Sequence, residues 1–170
     1  LGIARPARYL GNELGVKSRD WPSAWSAAGV RWALTYPELY EVGASNLGHI
    51  LLYSLLNEVP GQLCDRAYLP APDLAARLRE RKQPLFAVES RLPLAAFDLL
   101  GFSLAYELGA TNVLEMLDLA GIPLHAAGRG DLPLADPAAP PLIFAGGPTA
   151  TSNPEPFAAF FDFLALGDGE

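Results

Sequence analysis

His49, His125 and Cys64 are the side chains best suited to nucleophilic, general-base or metal chemistry, and the chain has no other histidine or cysteine. Their spacing supports none of these chemistries. Neither histidine has a serine, cysteine or carboxylate arranged around it in a recognisable pattern. No zinc-ligand spacing is present, and one thiol does not hold an iron–sulfur cluster, which takes several. All three read as structural residues: His49 on the first helix just past its capping turn, His125 near an edge strand, and Cys64 as a small buried hydrophobe opening a strand. No phosphate-binding loop motif exists and no G-x-G-x-x-G follows the first strand, which argues against a classical dinucleotide site. What remains is binding chemistry. Four stretches together supply glycines, which let a backbone approach a ligand closely, and neutral hydrogen-bonding groups: Glu41–Asn46, the Ser103–Tyr106–Glu107 corner, Gly146–Thr151 and Gly167–Glu170. The candidate contacts are Ser45, Asn46, Ser103, Gly146, Gly147 and Thr149. Singly, each is equally well explained as a turn or cap residue. Their weight comes from falling together on one edge of the fold.

That edge follows from the order of elements. Apolar runs of strand length occur at Val30–Tyr36, Cys64–Leu69, Phe97–Leu104, Leu142–Ala145 and Phe163–Leu166. Between them lie helical patterns. Leu47, Ile50, Leu51, Ser54 and Leu55 follow the i, i+3, i+4, i+7, i+8 spacing behind a Ser45 or Asn46 cap. Asp73–Lys82 starts behind Pro70 and Pro72 and gathers basic residues toward its C-terminus, where they complement the helix dipole. Glu107–Ala120 ends at Gly121 and Pro123. A short helix begins at Asn153–Pro154. Strands joined through helices indicate a parallel sheet. The expectation is a flavodoxin-like, doubly wound, three-layer (Rossmann-like) α/β fold in the order 2-1-3-4-5, with extra edge strands at Leu85–Val88 and Ile122–Ala126. In such sheets ligands bind beyond the carboxyl ends of the strands. The Pro37–Asn46 connection is long for a strand-to-helix loop.

The bulk numbers suit this fold. The chain has 170 residues, 51% hydrophobic and 18% charged, enough for one domain with a real core. A net charge of -7 argues against a general polyanion binder. One cysteine and no membrane-spanning or signal pattern suggest a reducing, cytoplasmic setting. Residues 1–29 read as an N-terminal arm whose Trp21 and Trp25 pack on a domain of residues 30–170. The arm's Arg5, Arg8, Lys17 and Arg19 leave open a second reading, docking to another domain or to a phosphate group.

The motifs narrow the family. G146-G147-P148-T149-A150-T151, Pro154–Glu155 and F161-D162-F163-L164-A165-L166-G167-D168-G169-E170 resemble the end of the cobalamin (B12)-binding-type domain that precedes a radical S-adenosylmethionine (SAM) barrel. F97-D98-L99-L100-G101-F102-S103 resembles that family's central strand, and P37 to S45-N46-L47-G48 its first loop. R8-Y9-L10-G11-N12-E13, Y36-P37-E38-L39-Y40-E41-V42-G43 and L117-D118-L119-A120-G121-I122-P123-L124 are similar to an uncharacterised subfamily of these radical enzymes. The resemblance implies a fragment, catalytically silent alone, that presents cobalamin or a substrate to a [4Fe–4S]/SAM domain beyond Glu170. It implies that Gly146, Gly147 and Thr149 approach the ligand's tail while Ser45, Asn46 and Ser103 hydrogen-bond it. Two departures stand out. The first loop has no histidine for cobalt, and Thr149 stands where the family carries a histidine. The alternative is a cofactor-free substrate-recognition or interdomain docking module, with an RNA or protein substrate open. A flavin or nucleotide on the same edge is a third, weaker reading.

Overall fold

The computed structural model describes residues 2–13, 16, 20–130, 136 and 139–169. Lys17, Arg19, Glu170 and much of the Gly128–Pro141 loop lie outside the described residues. Five parallel strands form one sheet: β1 (Val30–Leu39), β2 (Gln62–Leu69), β3 (Leu99–Ser103), β4 (Leu142–Gly146) and β5 (Phe163–Ala165). Their order is β2-β1-β3-β4-β5, with every pairing parallel. This is the expected doubly wound order. The helices are α1 (Trp21–Ala27), α2 (Tyr40–Gly43), α3 (Leu47–Glu58), α4 (Pro72–Arg81), α5 (Gly109–Ala120) and α6 (Pro148–Ser152), with 3-10 turns between several of them.

Strand alternation divides the sheet into two faces. Ala33, Ala67, Leu100, Phe102, Ile143 and Ala145 point to one face and pack with Leu74 and Leu78 of α4 and Val113, Met116 and Leu117 of α5. The other face carries Trp32, Leu34 and Cys64, which pack under Leu52, Tyr53 and Leu56 of α3. The main core is therefore on the α4/α5 face.

Two buried ion networks tie the peripheral segments to the sheet. Arg129, whose side chain is 2% exposed, forks onto Asp162 at 3.2 Å and donates to the Phe160 and Pro123 carbonyls at 3.0 and 2.9 Å. Asp162 also accepts from the Ile143 N–H at 2.7 Å, so one carboxylate joins β4, the entry to β5 and the segment after α5. Across the sheet, buried Arg66 bonds Glu89 at 3.2 Å and Glu13 at 3.1 Å, with its guanidinium over the Tyr53 ring. Glu13 also accepts from Tyr40 at 2.6 Å, which holds the N-terminal arm against β2. Trp25 packs edge-on to Phe97 at 5.0 Å.

Four local expectations are corrected. Leu85–Val88 is not a strand: it makes one isolated bridge, Phe86 to Pro93, and Val88 N–H caps the Arg66 carbonyl on the outer edge of β2. Ile122–Ala126 is irregular and runs into a 3-10 turn, because Pro123 removes a ladder donor. The Pro37–Asn46 loop is mostly ordered backbone, with β1 continuing to Leu39 past a register shift and α2 following at once. Finally, Gly147-Pro148 opens a helix, α6, and the stretch behind Asn153–Pro154 is a 3-10 helix without a side-chain cap.

Because buried Arg129 forks onto Asp162, Asp162→Ala should lower the unfolding free energy by about 3 kcal/mol. Urea denaturation would measure it, and a change below about 1 kcal/mol would show that the pair does not anchor β5.

Candidate functional site

A cleft of about 780 Å³ opens at the carboxyl ends of β1, β3 and β4 and runs down the α3 face of the sheet. Its floor is set by strand register. Ser103, Gly146 and Ala165 are hydrogen-bonding neighbours across β3, β4 and β5, and this row of small residues lies at the mouth. One step deeper the row is Gly101, Phe144 and Phe163. A Cβ at Gly101 would meet Phe144 Cζ at 2.7 Å, so only glycine lets that ring lie across β3. Gly48, Leu52 and Leu56, spaced i, i+4, i+8, make the α3 wall. Trp32 and Leu34 close the bottom.

The rim comes from the turns that follow the strands. Asn46 Oδ1 accepts from the His49 N–H at 3.0 Å and caps α3, while its Nδ2 donates to the Tyr36 hydroxyl at 3.3 Å. Gly147 has φ +110 and ψ -179, and a Cβ there would meet the Leu104 carbonyl oxygen at 2.8 Å. That conformation is open only to glycine. It turns the chain from β4 straight into α6. Thr151 Oγ1 accepts from the Gly167 N–H at 3.0 Å, joining the β4 and β5 corners.

Of the six candidate contacts, Asn46, Ser103, Gly146 and Gly147 line this one cleft. Ser45 and Thr149 do not. Ser45 turns back to the Glu41 and Val42 carbonyls, and Thr149 lies on the buried side of α6. The other corners divide similarly. Gly167, Asp168 and Gly169 line the cleft; Glu41 is held by Arg5 and Arg8, and Tyr106 bonds Glu38. The arm's Arg5 and Arg8 are thus already engaged by a carboxylate.

Electrostatically the lining is nearly neutral. Asp168 is its only carboxylate among the described residues. His49 also borders the cleft, but it is buried between the Tyr36 and Tyr68 rings, and neither ring nitrogen has a hydrogen-bond partner among the described residues. Burial, with the Arg66 charge as a smaller cause, lowers its pKa to about 3. It is therefore neutral at physiological pH. Trp32 Nε1, at the bottom of the cleft, is a second buried group without a partner among the described residues. The sequence reading took His49 as a structural histidine and did not single out Trp32. The available signals were alternation of Trp32 with Leu34 and Tyr36 on β1, and the i, i+4 spacing of His49 and Tyr53 on α3. Among the described residues no His, Cys, Asp and Glu side chains cluster as a metal site.

Comparison with known families matches residues 48–170, most of the chain, to the family described as "Radical SAM proteins, N-terminal". No curated protein matches the chain significantly. No helix of the described residues is long and apolar enough to cross a membrane.

The depressed His49 pKa makes a signed prediction. A histidine that must stay neutral when folded costs stability between its unfolded pKa, 6.5, and its folded pKa, about 3. Stability contributed by this group falls as pH drops through that window, by up to about 1.4 kcal/mol per pH unit. His49→Phe keeps a ring between the tyrosines and removes the titration. Denaturant midpoints measured from pH 7 to 4 should fall more steeply for the unsubstituted chain than for His49→Phe; parallel slopes would show that His49 is not held neutral.

Proposed function

The chain belongs to the N-terminal domain family of radical SAM proteins, and from that membership we propose that it is a presenting domain, holding a cofactor at its strand-end cleft for the catalytic domain of the same protein. The observation that carries this reading is the rim. Asn46, Ser103, Gly146 and Gly147 come from three separate strand ends and converge on one cleft with a floor of small residues. Such convergence at the carboxyl edge is where doubly wound sheets bind ligands.

Cobalamin is the cofactor proposed for it. The residues present suit the cofactor's tail and amide-bearing periphery: a neutral rim over small residues, and backbone exposed at Gly146 and Gly147. They do not include a histidine in the Pro37–Asn46 loop to meet cobalt. The nearest imidazole, His49, is walled in by Tyr36 and Tyr68. The chemistry that cobalamin supplies when bound is transfer of a methyl group or a radical at cobalt. The work of this chain is to hold and orient the group. Asn46 and Ser103 would hydrogen-bond its amides, and the glycine corner would let its edge approach the backbone. The [4Fe–4S] cluster and SAM chemistry belong to the catalytic domain.

A second reading, a cofactor-free docking module, is favoured by one observation: α3 presents leucines outward as well as inward, with Leu47 81% exposed. A helix apolar on every side is built to be covered.

Hydroxocobalamin titrated into the parent protein should shift its visible spectrum and remain bound through gel filtration. Ser103→Phe, which fills the mouth without touching the α4/α5 core, should weaken that binding at least tenfold with the circular dichroism unchanged. A parent protein that neither shifts the spectrum nor retains cobalamin would remove the cofactor reading and leave the docking one.

A further inference from the structure

The deep half of the cleft has the dimensions of a helix seat. A parallel sheet whose faces are both covered by helices is the rule for this class of fold. On the α4/α5 face that rule is met. On the opposite face α3 covers β1 and β2, while β3, β4 and β5 have no helix over them among the described residues. What they expose is apolar. Phe144 and Phe163 stack with ring centroids 4.8 Å apart and planes 4° from parallel, and Phe163 is 46% exposed. Trp32 meets the Phe144 ring edge-on at 5.9 Å and is only half-buried. Leu55, on the α3 flank, is 39% exposed.

Size decides what fits. Three strands about 4.8 Å apart span roughly 10 Å, one helix diameter. Helices packed side by side sit 8–10 Å apart, so an occupant beside α3 would lie over β4. Strands of this length take about 11 or 12 residues of helix to cross.

The course of the chain points to the occupant. The Gly167–Gly169 corner lines the trough's mouth, held by the Gly167 N–H bond to Thr151 Oγ1. A Cβ on Gly169 would sit 3.5 Å from Leu52 Cδ2. The backbone leaving β5 has therefore already turned back toward α3. Family membership says that this domain lies N-terminal to the catalytic domain of a radical SAM protein.

We propose that the trough between α3 and β5 is the seat of the polypeptide that follows Glu170 in the parent protein, an apolar-faced helix running down over Phe144 and Phe163 beside Leu52 and Leu55. Seated there, it completes the open face and becomes the third wall of the cleft above it. The first segment of the path to the catalytic domain then touches the same cavity as the rim contacts. The inference rests on the family and the sheet, not on which ligand the rim holds.

Photo-cross-linking in the full-length parent protein tests it. Leu55→p-benzoylphenylalanine and Phe163→p-benzoylphenylalanine place the probe on the two flanks of the trough, and Glu80→p-benzoylphenylalanine on α4 serves as an exposed control. After irradiation, mass spectrometry should find intramolecular links from both flanking positions to the segment directly following Glu170, several-fold above any from position 80. Three results would overturn the proposal: links between two copies of the chain, links only to distant parts of the catalytic domain, or no links above the control. The cobalamin titration reads the rim and the cross-link reads the floor, so either can fail alone.

Discussion

Everything in this molecule answers to one constraint: a parallel sheet has two apolar faces and both must be kept from water. The chain satisfies it unevenly. Helices α4 and α5 and the N-terminal arm close one face around a continuous core. On the other, α3 packs on Trp32, Leu34 and Cys64 and leaves the ends of β3, β4 and β5 as the floor of a cleft. Small residues are concentrated where that floor must be reached. Gly101 lets Phe144 lie flat across β3, and Ser103, Gly146 and Ala165 keep the mouth shallow. The candidate cleft is the part of the sheet that the described residues leave uncovered.

An open face weakens a domain unless its edges are held in other ways, and here buried ionic ties hold both sides of the sheet. Arg129 and Asp162 fix β5, the shortest strand, to β4 and to the segment after α5. Arg66, Glu89 and Glu13 fix the arm and the outer edge of β2. A buried ion pair contributes little net stability relative to apolar packing but is costly to break. Its effect here is to specify where irregular segments sit, which keeps the strand ends, and so the rim, in one arrangement.

The sheet was legible in the sequence because the buried strands are short apolar runs separated by helical spacing and proline–glycine punctuation. All five main strands and their order follow from that pattern. The errors lie where tertiary contacts override local signals. Leu85–Val88 has strand composition, yet it serves as a cap on the edge of β2. Gly146-Gly147-Pro148 reads as a turn, but Gly147 in its left-handed conformation is the start of a helix. The lining of the candidate cleft was partly legible: four of the six expected contacts lie on it. Asn46, Ser103, Gly146 and Gly147 are strand-end residues and so could be placed by topology alone. Ser45 and Thr149 sit one or two residues away, and a helix rotates each successive side chain by a large angle, so chain proximity does not predict facing. His49 was read as structural and Trp32 passed as a strand residue, because a wall residue looks like core until that part of the face is seen to have no helix over it among the described residues.

The central claim is that the rim formed by Asn46, Ser103, Gly146 and Gly147 faces the catalytic domain across a bound group. The most direct measurement is a crystal structure of the full-length parent protein purified without oxygen. The account predicts non-protein density bounded by Ser103 and the Gly146–Gly147 backbone, with the catalytic domain on its far side. Rim residues packed directly against protein, with no space between them for a ligand, would contradict it.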